Sequence, residues 1–415
     1  MKVLWMCGND SAYTGAKQMS RDADGSWMES LLKIVREYHP DIQLSVAFMS
    51  KSKAEVNDTI DGIGFYSLKI PLYRKLMGNW RNPMHRRYRY ILDRTKPDII
   101  HVFGSETELG LIYSDTNIPI VLHIQGILNN YARHWWPTTT SNMKEWFYVL
   151  CHPFELPWWL VERKVGKLSQ SNELDILSHI HYYMGRTEWD KALTDHYAPR
   201  SKYYYCPEAL RPTFAALEEK WKWDGKRPLR IVSIMSAAIY KGLDTILQTA
   251  SVLKNTYHAD FEWNVVGIDA LSTGERLAGI KGENVNVKAV GRMNSRLLIE
   301  ALKNAAVYVH LAYIENSSNA VCEAQIAGIP VVATCVGGMQ SLIKHGEDGI
   351  LVPVSEPALT AHNIMELYKR QDLATAIGQR GHDVAKKRHD PVGIGDCLSK
   401  IYYDVVQSES HANKG

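Results

Sequence analysis

Apolar residues in this chain come in short blocks, and the stretches between them repeat with helical spacing. Val3-Leu4-Trp5-Met6, Leu44–Phe48, Asp98–Phe103 and Ile118–His123 form one series of blocks. A second runs through Leu229–Ile234, Phe261–Val266, Val285–Val290, Val307–Leu311 and Val331–Thr334. Short apolar strands separated by helices read as parallel sheets covered on both faces. Two series predict an α/β chain of two Rossmann-like, doubly wound domains facing across a cleft, with ligands at the carboxyl ends of the strands. The first domain is expected over residues 1–205. Two prolines in Cys206–Pro212 mark a hinge, and the second domain follows over 213–390. Glu218–Lys222 reads as a charged helix. Residues 391–415 predict a last helix, from Pro391 to about Gln407, that packs back on the first domain, then a polar, frayed tail.

The length, 415 residues, exceeds what one core serves and fits two domains. At 45% hydrophobic, 22% charged and a net charge of +3, the balance says little about partners. Local charge says more. Tyr73–Tyr90 holds Arg74, Lys75, Arg81, Arg86, Arg87 and Arg89 without an acid, interleaved with Trp80 and tyrosines. It is either a solvated face or a surface for anionic lipid headgroups or a pyrophosphate-linked acceptor. No nucleic-acid module accompanies it, so nucleic acid is not an expected partner. The six cysteines lack CxxC or metal-site spacing and read mostly as buried free thiols of a reducing compartment. MKVLWMCGND reads as a first strand, not a leader, and no apolar run approaches the roughly 20 residues that span a bilayer. The expected location is cytoplasmic, with peripheral contact to the inner membrane face left open. The oligomeric state is not legible.

The chemistry concentrates in Glu315–Pro330, ENSSNAVCEAQIAGIP. Asn316, Ser317, Ser318 and Asn319 are helix-start residues, Gly328 is a stop, and Pro330 leads into a β-branched strand. Glu315 then lies before the helix and Glu323 about a turn inside it. Both stand beside a bare helix end that attracts phosphate. Carboxylates repel phosphate, so here they serve sugar hydroxyls or developing positive charge, and the pattern points to a nucleotide-sugar site. The first βα turn, with Gly8 and Gly15, lacks GxGxxG spacing, which argues against a dinucleotide. Gly15 and Gly25 either let the backbone approach a substrate or relax a loop. Trp135-Trp136, Trp146-Phe147-Tyr148 and Trp158-Trp159 suggest an aromatic surface against lipid or sugar, or a buried helix pair. Asp22-Ala23-Asp24 has the letters of a DxD metal site but lies far from the donor elements and reads as a solvated turn.

Glu315-x7-Glu323 with Ala324, Gly328, Pro330–Ala333 and Gly337-Gly338 resembles the signature of retaining family-4 (group 1) glycosyltransferases of the GT-B fold. Ile234–Leu243, ending in Lys241-Gly242, resembles that family's phosphate loop, and Asp98–Val102 and Ile120–Gly126 its central N-domain strands. Gly185–Asp190 and Cys206–Phe214 resemble a branch found in surface-polysaccharide synthesis. The resemblance implies a nucleotide-sugar donor, UDP-linked, and a polysaccharide or lipid-linked acceptor. It gives Glu315 to the donor sugar, Glu323 to the ribose, and Lys241 with the Ser317–Asn319 backbone to the diphosphate. No metal or other cofactor is implied, because the protein supplies the charge.

Two positions depart from the family pattern. Ser236 stands where the family has an arginine, leaving Arg292, Arg211 or Arg186 to substitute, Arg292 first. Gln125 stands where it has a histidine, and His123 lies two residues earlier on the same strand face. Competing expectations are a nucleotide-sugar epimerase or phosphorylase of the same fold and a catalytically silent sugar-nucleotide-binding scaffold.

Overall fold

The computed structural model describes residues 1–18, 25–50, 55–70, 72–78, 81–136, 156–218, 220–222, 225 and 228–412, the side chains of 18, 156–163 and 412 excepted. The chain divides into two compact units. One comprises residues 1–132, 140–209 and 391–415, the other residues 133–139 and 210–390.

In the first unit eight strands form one sheet: β1 (Lys2–Cys7), β2 (Gln43–Met49), β3 (Asn57–Ile60), β4 (Ile63–Leu68), β5 (Ile99–Phe103), β6 (Ile120–His123), β7 (Tyr182–Gly185) and β8 (Lys202–Tyr205). Their order is β3-β4-β2-β1-β5-β6-β7-β8. All pairs are parallel except β3–β4. β1 shows why an unbroken apolar run is needed: successive side chains enter opposite cores. Val3, Trp5 and Cys7 pack under the helices Trp27–Tyr38 and Pro391–Ala412. Leu4 and Met6 pack under Arg81–Thr95 and Leu156–His179.

The last helix buries Ile394, Leu398, Ile401, Tyr402 and Val405 in this unit and runs to Ala412, beyond the expected stop near Gln407. The Tyr402 hydroxyl anchors it, accepting the Trp5 indole N–H at 2.9 Å and bonding His101 Nδ1 at 2.6 Å. The β3–β4 hairpin turns at Asp61-Gly62, both at positive φ (49° and 81°). Asp-Gly is a strong hairpin signal that the reading by apolar blocks passed over.

In the second unit β9 (Leu229–Ile234), β10 (Phe261–Val266), β11 (Val287–Ala289), β12 (Val307–His310), β13 (Val331–Thr334) and β14 (Ile350–Val352) form an all-parallel sheet in the order β11-β10-β9-β12-β13-β14. The helix expected over Glu218–Lys222 is absent among the described residues there. The Trp221 backbone N–H donates to the Ala327 carbonyl at 2.7 Å and its indole to Ala305 at 2.6 Å. These bonds hold the segment along its own unit and override helix propensity. Among the described cysteines Cys7, Cys206 and Cys322 are buried, Cys397 is half-buried and Cys335 is exposed, all free. No described helix is long and apolar enough to cross a membrane.

Candidate functional site

The helix Asn319–Ala327 starts at Ser318, whose backbone is extended (φ −76°, ψ 111°), and no side chain caps it. Its first N–H groups therefore lack a side-chain acceptor, the condition under which a helix start draws an anion. The buried Asn319 Oδ1 also has no hydrogen-bond partner among the described residues. Asn316 and Ser318 are buried and Ser317 half-buried. At the other end Gly328 adopts φ 79° and stops the helix.

Two left-handed glycines clamp the backbone before this helix. A Cβ on Gly242 (φ 75°) would overlap the Leu311 carbonyl oxygen, and one on Gly337 (φ 52°) the Glu315 carbonyl oxygen. Only glycine permits both the backbone conformation and the approach. The clamp is closed by Tyr313 N–H to Tyr240 O at 2.7 Å and Gly338 N–H to Glu315 O at 3.0 Å.

The clamp sets Lys241 against Glu315, Nζ to Oε2 2.5 Å, with His310 Nε2 3.2 Å from the same oxygen. Burial by itself would raise the Glu315 pKa. The Lys241 ammonium and the His310 hydrogen bond outweigh it and hold the carboxyl at about 2. Burial likewise opposes the Lys241 charge, and Glu315 and Tyr240 more than compensate, raising its pKa above the ordinary value. Both groups are thus ionised at neutral pH.

One turn into the helix, the buried Glu323 accepts two hydrogen bonds from Arg211, Nε and Nη2 each at 2.6 Å. Such a fork fixes the carboxylate's plane. Ser236 is exposed after β9 and lines a small cavity with Ala237, Ile239, Asp244, Ile268 and Thr273. Arg292 is exposed on the loop after β11. Gly267 N–H to Gly291 O, 2.7 Å, ties that loop to the one after β10. Of the arginines considered for the Ser236 gap, Arg211 is held by Glu323 and Arg186 by Glu208, whereas Arg292 remains exposed. Trp135, expected on the acceptor side, falls in the second unit with residues 133–136. Its ring packs on Tyr240 with centroids 5.0 Å apart, and Tyr240 in turn lies beneath the Lys241 ammonium at 5.2 Å. Trp136 is half-buried.

In the first unit His123 ends β6, 2% exposed, and stacks on His101 with centroids 5.5 Å apart. Burial, then the nearby His101 and Arg186, lowers its pKa well below the usual range, so it is a neutral imidazole. Gln125 follows, and its carbonyl accepts from Arg186 Nη2 at 3.4 Å. Arg186 is buried and ion-paired with Glu208. Gly15 lies inside the helix Ser11–Gln18, and the room it leaves is filled by the Glu29 side chain, 2.7 Å from where a Cβ would stand. Gly25 is filled by the same carboxyl group.

Asp22-Ala23-Asp24, Trp80 and Trp146-Phe147-Tyr148 lie outside the described residues, and the Trp158-Trp159 side chains outside the described side chains. Reading by motif missed His310, whose place at the end of β12 five residues before Glu315 was a usable signal.

Residues 215–384 match the family described as glycosyl transferases group 1. A 112-residue stretch is 27% identical to N-acetyl-alpha-D-glucosaminyl L-malate synthase of Bacillus anthracis, covering 27% of this chain and 29% of that enzyme. The match thus spans under a third of the relative's length. The fold is similar to sucrose-phosphate synthase from Thermosynechococcus elongatus, TM-score 0.74 at 14% identity over 98% of this chain and all of that one. It is also similar to Anabaena Alr3699/HepE solved with UDP-glucose, TM-score 0.61 at 15% identity over 99% of this chain and all of that one.

Proposed function

We propose that this chain, whose residues 215–384 match the group 1 glycosyltransferases and whose fold is GT-B, moves a sugar from a UDP-linked donor to a glycan or lipid-linked acceptor with retention of configuration. The observation that carries the reading is the Lys241–Glu315 pair beside the uncapped start of the helix that bears Glu323. A structural neighbour solved with UDP-glucose favours uracil as the base.

The leaving nucleoside diphosphate gains negative charge as the glycosidic bond breaks. A preplaced ammonium and backbone N–H groups stabilise that charge without a metal. In the free protein Glu315 keeps Lys241 aimed. When the diphosphate takes over the ammonium, the Glu315 carboxylate is released to the hydroxyls of the donor sugar and to the positive charge at its anomeric carbon. Glu323, oriented by Arg211, accepts from the ribose hydroxyls. The acceptor oxygen bonds to the anomeric carbon on the face the diphosphate leaves, and its proton passes to the departing phosphate oxygen. No protein nucleophile is required.

This reading is tested by incubating the protein with UDP-glucose, with and without octyl glycosides, and following the products by NMR. It expects UDP release with an α-linked product. A β-linked product excludes retention, and a donor isomerised without any acceptor identifies an epimerase.

Membrane contact is a second part of the proposal. Leu72, Tyr73 and Met77 are 44%, 58% and 73% exposed, beside Arg74. The rest of the basic run is largely engaged within its own unit: Lys75 with Glu108, Arg87 with the Ser67 and Val56 carbonyls, Arg89 with Asp115. Among the described residues of this run, the short segment around Met77 joins exposed apolar side chains to a basic one, as an anionic bilayer requires. Met77→Glu is expected to lower co-sedimentation with phosphatidylglycerol vesicles at least threefold; equal co-sedimentation of the two proteins rules this contact out.

A further inference from the structure

The order of the first sheet reverses at β1: the chain proceeds to β2 on one side and resumes from β5 on the other. In open parallel sheets the crevice outside the carboxyl ends at such a reversal is where ligands bind. The loops bordering it meet closely. Thr107 Cγ2, after β5, is 3.6 Å from where a Cβ on Gly8, after β1, would stand. The β1 side is therefore bare backbone, and the β5 side presents Glu106 and Thr107.

Glu106 is shaped into this place by two glycines. A Cβ on Gly126 would come 2.9 Å from its Oε1, and one on Gly104 (φ 86°) would overlap its Oε2. The residue is half-buried, and the backbone N–H groups of Glu106 itself and Gly126 favour its charged form. No ion pair reaches it among the described residues. Its charged neighbours are otherwise occupied. Glu173, on the helix Leu156–His179, accepts from Ser105 Oγ, Leu128 N–H, Asn129 N–H and Asn129 Nδ2, each at 2.7 Å. Arg186, after β7, is paired with Glu208. Burial first, with Glu173 adding, pushes the Glu106 pKa up to about 7 against the opposing backbone hydrogen bonds and Arg186.

Two further polar groups lack partners there among the described residues: Thr107 Oγ1, and both ring nitrogens of the 2%-exposed His123, which lies near enough to Arg186 to feel its charge. Glu173 has the bonding of a structural group; Glu106, Thr107 and His123 do not.

We infer that Glu106 is a specificity-determining residue that binds a hydroxyl of the acceptor, whose terminal unit is a neutral sugar rather than a bare phosphate. An ionised carboxyl accepts from hydroxyls more strongly than a neutral amide does, and its charge repels a phosphate dianion. Thr107 Oγ1 supplies a second hydroxyl-matching group in the same crevice. The inference rests on the glycosyltransferase reading for the word acceptor, but its test does not need the donor.

Binding of octyl glucoside, octyl galactoside and octyl N-acetylglucosaminide, all below their micellar concentrations, is measured by saturation-transfer NMR on the full chain without nucleotide. At least one glycoside is expected to bind the wild type, with affinity reduced at least tenfold in Glu106→Gln and threefold in Thr107→Val, while both variants keep the wild-type melting temperature and UDP response. Unchanged glycoside affinity in Glu106→Gln, absence of glycoside binding, or preference for a short polyprenyl phosphate over every glycoside overturns the inference. If Glu106→Gln does not fold, Thr107→Val decides. Glutamate-dependent glycoside binding without any UDP response would instead leave this site standing and remove the transferase reading.

Discussion

Replacing Lys241 with methionine is expected to lower the rate of sugar transfer by about 10²–10³-fold, because one preplaced charge on the departing diphosphate is lost. The same change is expected to lower stability by about 3–5 kcal/mol, the usual consequence of leaving a buried carboxylate without its cation. The two effects separate in the double variant. Lys241→Met with Glu315→Gln removes both charges, so urea unfolding should return most of the stability while transfer stays lost.

The pH dependence should also change. In the wild type Glu315 is held at about 2, below the ordinary carboxylate value of 4.5. Its contribution to stability is therefore full above about 4.5 and lost as pH falls toward 2. Without Lys241 only His310 opposes burial, so the Glu315 pKa rises from its wild-type position. The stability contributed by the ionised carboxylate is then smaller and is lost at a higher pH on acidification. Thermal melts from pH 3 to 8 distinguish these behaviours, and parallel profiles for the two proteins would contradict the assigned ion pair.

The second large effect concerns Gly337. Gly337→Ala is expected to cost at least about 2 kcal/mol, from left-handed strain of roughly 1–2 kcal/mol together with displacement of the Glu315 carbonyl. Gly279 supplies the control. It has a similar φ, 68°, but nothing lies within 4 Å of its Cβ position. Gly279→Ala should therefore show the backbone strain alone and leave transfer intact, while Gly337→Ala also lowers transfer by moving Glu315. Chemical denaturation and initial rates measured on both variants check this, and equal losses at the two positions would mean that the clamp does not position the site.

Most strands of the two sheets were legible as aliphatic blocks, because a strand buried on both faces must be apolar at nearly every position. β7 and β8, built from Tyr182-Tyr183-Met184 and Tyr203-Tyr204-Tyr205, escaped that pattern, as did the polar-interrupted hairpin β3–β4, while β14 is aliphatic but only three residues long. The helix start at Ser318 and the stop at Gly328 were readable from residue type, since caps are local chemistry. The partners of the two carboxylates were not. Nothing in the spacing says that Arg211 would grip Glu323 across 112 positions, or that His310 would share Glu315 with Lys241. Gly15 misled for a related reason: a helix glycine can make room for a side chain such as Glu29 as well as for a ligand.

The central claim, a nucleoside diphosphate held by Lys241 at the start of the helix that begins at Asn319, is tested most directly by thermal shift with UDP, ADP, GDP and UDP-glucose. At 100 times its dissociation constant a ligand stabilises the folded state by roughly 2.7 kcal/mol. The account predicts a clear upward shift with UDP and UDP-glucose that disappears in Lys241→Met. A wild-type protein that responds to no nucleotide, or a Lys241→Met variant that responds as the wild type does, would contradict it.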